Sequence, residues 1–185
     1  ILGEGSYVLN VQAHKNIAAT EPELVEMGQL LVMKVGATAG VGFDATTNGP
    51  ALVVLGTRGN DHIEVEQSGS VFEVEVGNRT LGVFSAAVDS ILANGYDGND
   101  HMDLSDVLAD ARVYGGNGND HIKTGAGDDF IYGGAGNDRI KGGSGDDLIT
   151  GGAGADKLTG NSGNDHFIYL ADSDSPAGWG WDRIT

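Results

Sequence analysis

Cysteine is absent from this 185-residue chain, so no disulfide bond can stabilise it. Basic residues are scarce as well: ten Lys and Arg stand against 27 Asp and Glu, which gives a formal net charge of −17. That acid excess argues against nucleic-acid binding, which needs a basic surface. No apolar run approaches the length of a membrane span. The motifs HExxH and GxSxG do not occur, so neither a metalloprotease helix nor a nucleophile elbow is present.

Glycine, by contrast, is abundant at 32 residues, and much of it recurs at a fixed period. From Gly115 to Ile168 the chain divides into six units of nine: GGNGNDHIK, TGAGDDFIY, GGAGNDRIK, GGSGDDLIT, GGAGADKLT and GNSGNDHFI. The sixth place is always aspartate: Asp120, Asp129, Asp138, Asp147, Asp156 and Asp165. The eighth place is always large and apolar: Ile122, Ile131, Ile140, Ile149, Leu158 and Phe167. A repeat this regular indicates stacked copies of one small structural unit.

Each unit has the composition of one turn followed by one short strand. Glycine at the first, second and fourth places favours a tight turn, so the first six places are not expected to lie within a strand. The last three places alternate outward, inward and outward, which predicts a minimal strand. Two units then complete a flattened coil, and units 18 residues apart stack at roughly 4.8 Å. The predicted fold class is all-β, a parallel β-roll.

Stacking places the aspartates in two columns, one containing Asp120, Asp138 and Asp156 and the other Asp129, Asp147 and Asp165. Unit charges about 5 Å apart repel by roughly 3 kcal/mol at an effective dielectric near 20, so the columns oppose folding without a cation. Ca²⁺ reverses that effect because it accepts six to eight oxygens from carboxylates and carbonyls. We therefore expect this region to be disordered without calcium and to fold as calcium binds.

At these residues the sequence resembles the RTX (repeats-in-toxin) family of secreted bacterial proteins, whose nonapeptide is G-G-x-G-x-D-x-U-x. The resemblance covers Gly115 to Ile168 and, more loosely, Gly56 to Glu64 and Gly95 to Asp103. It implies a right-handed roll and type I secretion. It also implies ions held between coils, by the second and fourth carbonyls and the Asp of one turn. The first and third carbonyls and the Asp of the turn 18 residues later complete each site.

Carried over by residue, the resemblance implies four calcium sites within the six units, with interior aspartates bridging two ions. They are Gly116, Gly118 and Asp120 with Gly133, Ala135 and Asp138; Gly125, Gly127 and Asp129 with Gly142, Ser144 and Asp147; Gly134, Gly136 and Asp138 with Gly151, Ala153 and Asp156; and Gly143, Gly145 and Asp147 with Gly160, Ser162 and Asp165. Looser extensions raise the total to six or seven. They are Gly152, Gly154 and Asp156 with Tyr169, Ala171 and Asp174; Gly98 and Asp100 with Gly115, Asn117 and Asp120, where a spacing of twenty requires a two-residue bulge; and Gly59 and Asp61 with Gly95, Asp97 and Asp100.

The sequence on either side of the repeats predicts three further segments. Residues 1–50 read as β-strands or a linker that ends a preceding β-sandwich module. Residues 51–114 read as degenerate coils with an inserted β-hairpin, turning at Gly77-Asn78, that caps the roll. The regular roll spans 115–168, and 169–185 reads as a truncated C-terminal cap that resembles the region after the roll in RTX metalloproteases.

The outward seventh and ninth places predict two unlike faces. One face carries basic side chains, among them Lys123 and Lys141. The other carries Phe130, Tyr132 and Leu148, and we expect it to be covered. Four histidines occupy the outward seventh place; since they are taken to be spread along the axis, zinc binding is not expected. They are His62, His101, His121 and His166.

The resulting functional hypothesis is a calcium-binding β-roll module of a secreted bacterial protein, with no catalytic site of its own. Its expected partners are calcium ions and neighbouring domains of the parent chain. The alternative is a carbohydrate- or surface-binding module, from an adhesin or a polysaccharide-modifying enzyme, that uses the basic face. Extracellular modules typically bind Ca²⁺ with Kd of roughly 10⁻⁴ to 10⁻³ M, so such sites would stay empty in a low-calcium cytosol.

Overall fold

A computed structural model describes residues 7–8, 32–33, 38–44, 49–85, 87–169 and 182–185, and all regular structure in these residues is β-strand. The described residues contain no helix that is long and apolar enough to cross a membrane. The strands are β1 (Tyr7–Val8), β2 (Val32–Met33), β3 (Thr38–Asp44), β4 (Gly49–Leu55), β5 (His62–Ser68), β6 (Val71–Val76), β7 (Arg79–Ser85), β8 (Ser90–Asp97), β9 (His101–Asp103), β10 (Asp110–Asn117), β11 (His121–Lys123), β12 (Phe130–Ala135), β13 (Arg139–Ser144), β14 (Leu148–Ala153), β15 (Lys157–Ser162), β16 (His166–Phe167) and β17 (Arg183–Ile184).

Successive strands of the roll alternate between two sheets. One sheet has the order β16-β14-β12-β10-β8-β4-β3, and the other has the order β17-β15-β13-β11-β9-β5-β6-β7. Within the repeats the pairing is parallel and steps by 18 residues, as in Ile122 with Ile140 and Ile131 with Ile149. The prediction of an all-β parallel roll is confirmed.

The strands are longer than the sequence predicts. β12 continues from the last three places of one unit into the first three places of the next. Gly134 pairs with Gly152, and Ala135 pairs with Ala153. The expectation that the first six places lie outside strands is therefore wrong for the first three. Each turn stacks on the equivalent turn of the adjacent coil, so the parallel ladder runs on into the glycines.

The two additional residues of the 20-residue coil lie at a different turn from the one expected. Asp100 stacks on Asp120 through a backbone N–H to Oδ1 bond of 2.8 Å, without a bulge in that turn. Six residues, 104–109, connect β9 to Asp110, whereas four, 124–127, connect β11 to Asp128, which bonds to Asp110. The longer turn buries Leu104 and Val107 inside the coil, so apolar packing accommodates the insertion.

The core is a single column of apolar side chains between the two sheets. In the repeats it consists of the eighth-place residues, of which five are fully buried: Ile122, Ile131, Ile140, Ile149 and Leu158. Phe167, at the last eighth place, is only partly buried. Toward the N-terminus the column widens and includes Leu52, Ile63, Phe72, Ile91 and Met102. Apolar packing is therefore densest in the coils that precede the regular repeats.

Antiparallel strands close the N-terminal end of the roll. β3 pairs antiparallel with β4, and β6 and β7 extend the opposite sheet beyond β5. The predicted hairpin turn at Gly77 and Asn78 joins β6 to β7, and Gly77 has a φ of 65°. Because the hairpin lies within the first coil, that coil is 39 residues long, as the pairing of His62 with His101 shows.

The outer faces of the two sheets differ. On the face that bears Phe130, Tyr132 and Leu148, these three side chains are partly buried rather than bare. On the opposite face the histidines are not spread along the axis, which corrects the expectation from the sequence. His62 pairs with His101 and His101 with His121, so the three imidazoles lie on adjacent strands. The 39- and 20-residue coils produce this alignment.

Candidate metal centre

The sixth-place aspartates form a column at each edge of the roll, as predicted. In each column the backbone N–H of one aspartate donates to Oδ1 of the aspartate one coil farther along. Asp120 donates to Asp138 over 2.8 Å, and Asp129 donates to Asp147 over 3.0 Å. The first column contains Asp61, Asp100, Asp120, Asp138, Asp156 and Asp182. The second contains Asp129, Asp147 and Asp165.

The second carboxylate oxygen is buried and accepts no hydrogen bond in five of these aspartates. They are Asp100, Asp120, Asp129, Asp138 and Asp147. A buried acceptor without a partner costs about 1–3 kcal/mol, and more when the group is charged. A column of such oxygens therefore requires either protons or cations.

Burial raises the pKa of these carboxyl groups. The pKa of Asp138 rises to about 8 and that of Asp129 to about 7, in each case chiefly because burial disfavours the charged form. The pKa values of Asp100 and Asp147 rise to about 6 for the same reason. A backbone N–H favours each carboxylate but does not outweigh burial, and neighbouring aspartates add repulsion. Without a cation, the folded roll therefore favours protonated aspartates at neutral pH.

Backbone carbonyls line the same space between turns. The Gly116 carbonyl oxygen lies against the Cα of Gly134, whose φ is 114°, and that of Gly118 lies against Gly136, whose φ is 138°. The same stacking brings the carbonyls of Gly125, Gly127, Gly134, Gly136, Gly143 and Gly145 against the glycines one coil farther along. First-place carbonyls point the other way: the oxygens of Gly133, Gly151 and Gly160 face Gly115, Gly133 and Gly142. Carbonyls from both adjacent turns thus enter each gap.

The third-place carbonyls also enter these gaps while keeping a backbone bond. The Ala135 oxygen accepts the N–H of Gly118, and the Ala153 oxygen accepts the N–H of Gly136. A carbonyl has a second lone pair, so this bond leaves one acceptor position. Each gap therefore offers oxygens from four carbonyls and two carboxylates.

This donor set fits calcium better than it fits other common metals. Ca²⁺ takes six to eight oxygens, mixing carboxylates with backbone carbonyls. Among the described residues no three His, Cys, Asp or Glu side chains converge on one point, so a site built only from side chains is not available. The buried Oδ2 atoms without a hydrogen-bond partner supply the charge that such an ion needs.

Comparison with known families agrees with this geometry. The profile of the RTX calcium-binding nonapeptide repeat (4 copies) matches residues 114–149, 132–167 and 141–175. The chain carries RTX calcium-binding repeats. No curated protein and no solved structure matches the chain. The similarity of its C-terminal run to RTX metalloproteases therefore stays a prediction.

The first aspartate of the RTX roll differs from the interior ones. Oδ2 of Asp61 accepts the backbone N–H of Thr57 over 2.6 Å and the Thr57 hydroxyl over 2.9 Å. Thr57 stands at the second place of its turn, where the regular units have glycine. The protein itself thus satisfies the carboxylate that begins the first column, so Asp61 has less need of an ion than Asp100.

A threonine also occupies the start of the second column. Thr124 replaces the first-place glycine, and its hydroxyl donates to the carbonyl oxygen of Gly142. That carbonyl belongs to the predicted ligands of the site that joins Asp129 to Asp147. The Thr124 hydroxyl also favours the charged form of Asp129, although burial still raises the pKa of that group. Of the four predicted sites, this one is thus the most altered by side chains.

At the C-terminal end, sequence reasoning missed Asp182. The N–H of Asp156 donates to Oδ1 of Asp182 over 2.8 Å, so Asp182 continues the first column after 26 residues. Asp182-Arg183-Ile184 repeats the run Asp138-Arg139-Ile140, a signal that the break in the nine-residue period concealed. Asp174, the predicted partner of Asp156, lies outside the described residues.

The fifth place carries a second ladder that sequence reasoning also missed. At the first edge the side chains are neutral: the N–H of Asn137 donates to Oδ1 of Asn119 over 2.7 Å. At the second edge they are acidic: the N–H of Asp146 donates to Oδ1 of Asp128 over 2.8 Å. These exposed side chains stabilise the turns from outside. The alternation of Asn and Asp at the fifth place is visible in the repeat.

Glycine at the first place should be essential for both folding and metal binding. A Cβ at Gly133 would overlap Oδ2 of Asp138 and the carbonyl oxygen of Gly151, two predicted ligands. We expect Gly133→Ala to raise the calcium concentration needed for half-maximal far-UV circular dichroism about tenfold or more. The matched control is Gly59→Ala, because a Cβ there comes no nearer than 3.7 Å to another atom. Equal behaviour of the two variants would contradict this account.

Order in the absence of calcium should increase as the pH falls. The pKa values of Asp129 and Asp138 are about 7 and about 8 in the folded chain, against about 3.9 in an unfolded one. The folded state therefore binds more protons, so its stability falls as pH rises through these values. In excess chelator, far-UV circular dichroism should show more β-structure at pH 5 than at pH 8. A flat profile would show that protons do not stabilise the columns.

Proposed function

We propose that this chain is a calcium-binding module of a secreted bacterial protein that folds when it meets extracellular calcium. It would serve as a structural, secretion-associated domain for the modules attached to it. The observation that carries this proposal is the set of five aspartates whose Oδ2 atoms are buried without a hydrogen-bond partner. The calcium-binding β-roll itself is supported by the RTX repeats and the parallel coils.

Coupling of folding to calcium follows from the charge on the columns. Aspartates on adjacent coils repel one another, and burial adds the cost of removing each carboxylate from water. A Ca²⁺ ion between two coils removes both penalties and joins the two turns. The repeat coils have little else to offset the entropy of ordering glycine, since each unit contributes one core side chain.

Secretion gives this coupling a purpose. Extracellular modules bind Ca²⁺ with Kd of roughly 10⁻⁴ to 10⁻³ M, so the roll would remain unfolded at cytosolic calcium. An unfolded chain suits passage through a narrow exporter, and calcium outside the cell would then drive folding. RTX repeats are typical of secreted bacterial proteins, which supports this localisation.

The module is proposed to have no catalytic role of its own. RTX repeats form a structural calcium-binding unit, and the sequence has neither HExxH nor GxSxG. An activity of the parent protein would belong to another module. Its other partners would then be the neighbouring domains of the same chain.

The calcium role is tested by replacing an interior aspartate. Asp138→Asn keeps an acceptor for the N–H of Asp120 but removes the charge of Oδ2. Losing a charged ligand costs about 1–3 kcal/mol, so the calcium needed for half-maximal order should rise about tenfold. Calorimetric titration should also show fewer bound ions. Mg²⁺ should not replace Ca²⁺, because it demands a tight octahedral shell.

The matched control is Asp146→Asn, at the exposed fifth place. The substituted amide keeps an oxygen that can accept the N–H of Asn164, which lies 2.8 Å from Oδ1 of Asp146 in the native chain. Both variants lose one negative charge, so only the position differs. Calcium titrations that shift equally in both variants would attribute the effect to net charge rather than to the predicted sites.

One surface favours a second function, the binding of an acidic polysaccharide. Five basic side chains lie outside the eight-stranded sheet: Lys123, Lys141, Arg139, Lys157 and Arg183. They follow the strands at roughly 4.8 Å intervals, which suits a polymer with regularly spaced carboxylates. Arg139 and Lys141 are exposed. Lys123 is half-buried and bonds to Asp103, so it contributes less.

This alternative predicts salt-sensitive binding of a polyuronate, but not of a neutral glucan, at saturating calcium. The double variant Arg139→Gln/Lys141→Gln should weaken binding about tenfold or more, since each lost contact removes roughly 1 kcal/mol. Arg79→Gln, exposed on β7, is the control. Glycan arrays or calorimetry would measure it, and absence of binding would leave the structural role alone.

A further inference from the structure

Three imidazoles form a row on the outer face of the eight-stranded sheet. The rings of His62 and His101 stack with centroids 4.8 Å apart and planes inclined by 2°. His121 continues the row, with its ring 4.8 Å from that of His101 and nearly perpendicular to it. Its Nε2 is buried and has no hydrogen-bond partner. The row lies on the face of the sheet, whereas the aspartate columns lie at its edges.

Carboxylates stand beside the first two histidines, two residues farther along each strand. His62 Nε2 is 3.8 Å from Oε2 of Glu64, and His101 Nε2 is 4.0 Å from Oδ2 of Asp103. Because the stacked rings share one orientation, both Nε2 atoms face the same side. The two histidines and Glu64 therefore mark three corners of a rectangle measuring 3.8 by 4.8 Å.

The point midway between Glu64 Oε2 and His101 Nε2 lies roughly 3 Å from all three atoms, about 1 Å longer than a zinc–ligand bond. The side chains of His62 and Glu64 are 51% and 42% exposed, which leaves them free to close that gap. As they stand, no three side chains of the described residues converge, so the site requires this small rotation.

Asp103 differs from Glu64 in its partners. Its Oδ1 accepts the Ser105 hydroxyl over 2.6 Å, and its Oδ2 accepts Lys123 Nζ, also over 2.6 Å. The Lys123 ammonium occupies the equivalent position one rung farther along and neutralises this carboxylate. The open carboxylate of the cluster is therefore that of Glu64, between the two stacked histidines.

We propose that His62, His101 and Glu64 bind a divalent transition metal, with Zn²⁺ as the best fit, at a site separate from the calcium columns. Imidazole nitrogen suits zinc, and two histidines with one carboxylate form a common zinc ligand set. Ca²⁺ prefers an all-oxygen shell, so the two metals divide between edge and face. The site joins the 39-residue first coil to the next coil and would staple the N-terminal end of the roll.

The experiment titrates Zn²⁺ into the full chain at saturating Ca²⁺, with calorimetry for binding and a calcium-sensitive dye for displacement. We expect one Zn²⁺ per chain in the micromolar range, with no calcium released. His101→Gln should weaken zinc binding at least tenfold. His166→Gln is the control, because His166 occupies the same outward place on the opposite sheet and should leave the affinity unchanged.

Zinc binding that releases calcium, or that persists unchanged in His101→Gln, would overturn the proposal, as would absence of binding. Circular dichroism in calcium shows whether His101→Gln folds like the native chain. If it does not, Glu64→Gln replaces it as the test, because that side chain is exposed and the strand does not depend on it. An unchanged zinc affinity in Glu64→Gln would then be decisive against the site. Neither result depends on how many calcium ions the roll holds.

Discussion

The cost of stacking buried carboxylates dominates this structure. Each sixth-place aspartate receives one backbone N–H at Oδ1, and in the interior of the columns Oδ2 remains buried without a hydrogen bond. Burial raises the pKa of Asp138 to about 8, so the arrangement resists ionisation at neutral pH. Carbonyls from both adjacent turns face the same gaps. A divalent cation converts this unfavourable column into the strongest link between coils.

The N-terminal coils show what the roll does where that link is weaker. There the core includes Phe72, Ile91 and Met102, antiparallel strands close the end, and Thr57 satisfies the first carboxylate. The repeats instead have one apolar side chain per unit and buried aspartates at both edges. The two halves therefore rely on different forces: apolar packing toward β4 and β5, and metal coordination toward β14 and β15. Such a division allows one end to template the other.

Sequence reasoning reached the features that a single residue type determines. The eighth-place apolar residues and sixth-place aspartates have one role each, so the period predicted both the core and the columns. Features that depend on chain length between coils escaped it. Spacing alone did not show that residues 104–109 absorb the insertion, that His62 would stack on His101, or that Asp182 resumes the column. The N–H to Oδ1 ladder was also missed, because side-chain orientation leaves no mark in the repeat.

Residue-resolved hydrogen exchange with and without calcium tests the central claim most directly. The amides of Asp120, Asp138 and Asp147 donate to carboxylates of the next coil, so they report on the columns themselves. The account predicts fast exchange across 114–167 in excess chelator and strong protection at saturating Ca²⁺. Equal protection of these amides in the two conditions would contradict it, because the aspartate columns would then be stable without a cation.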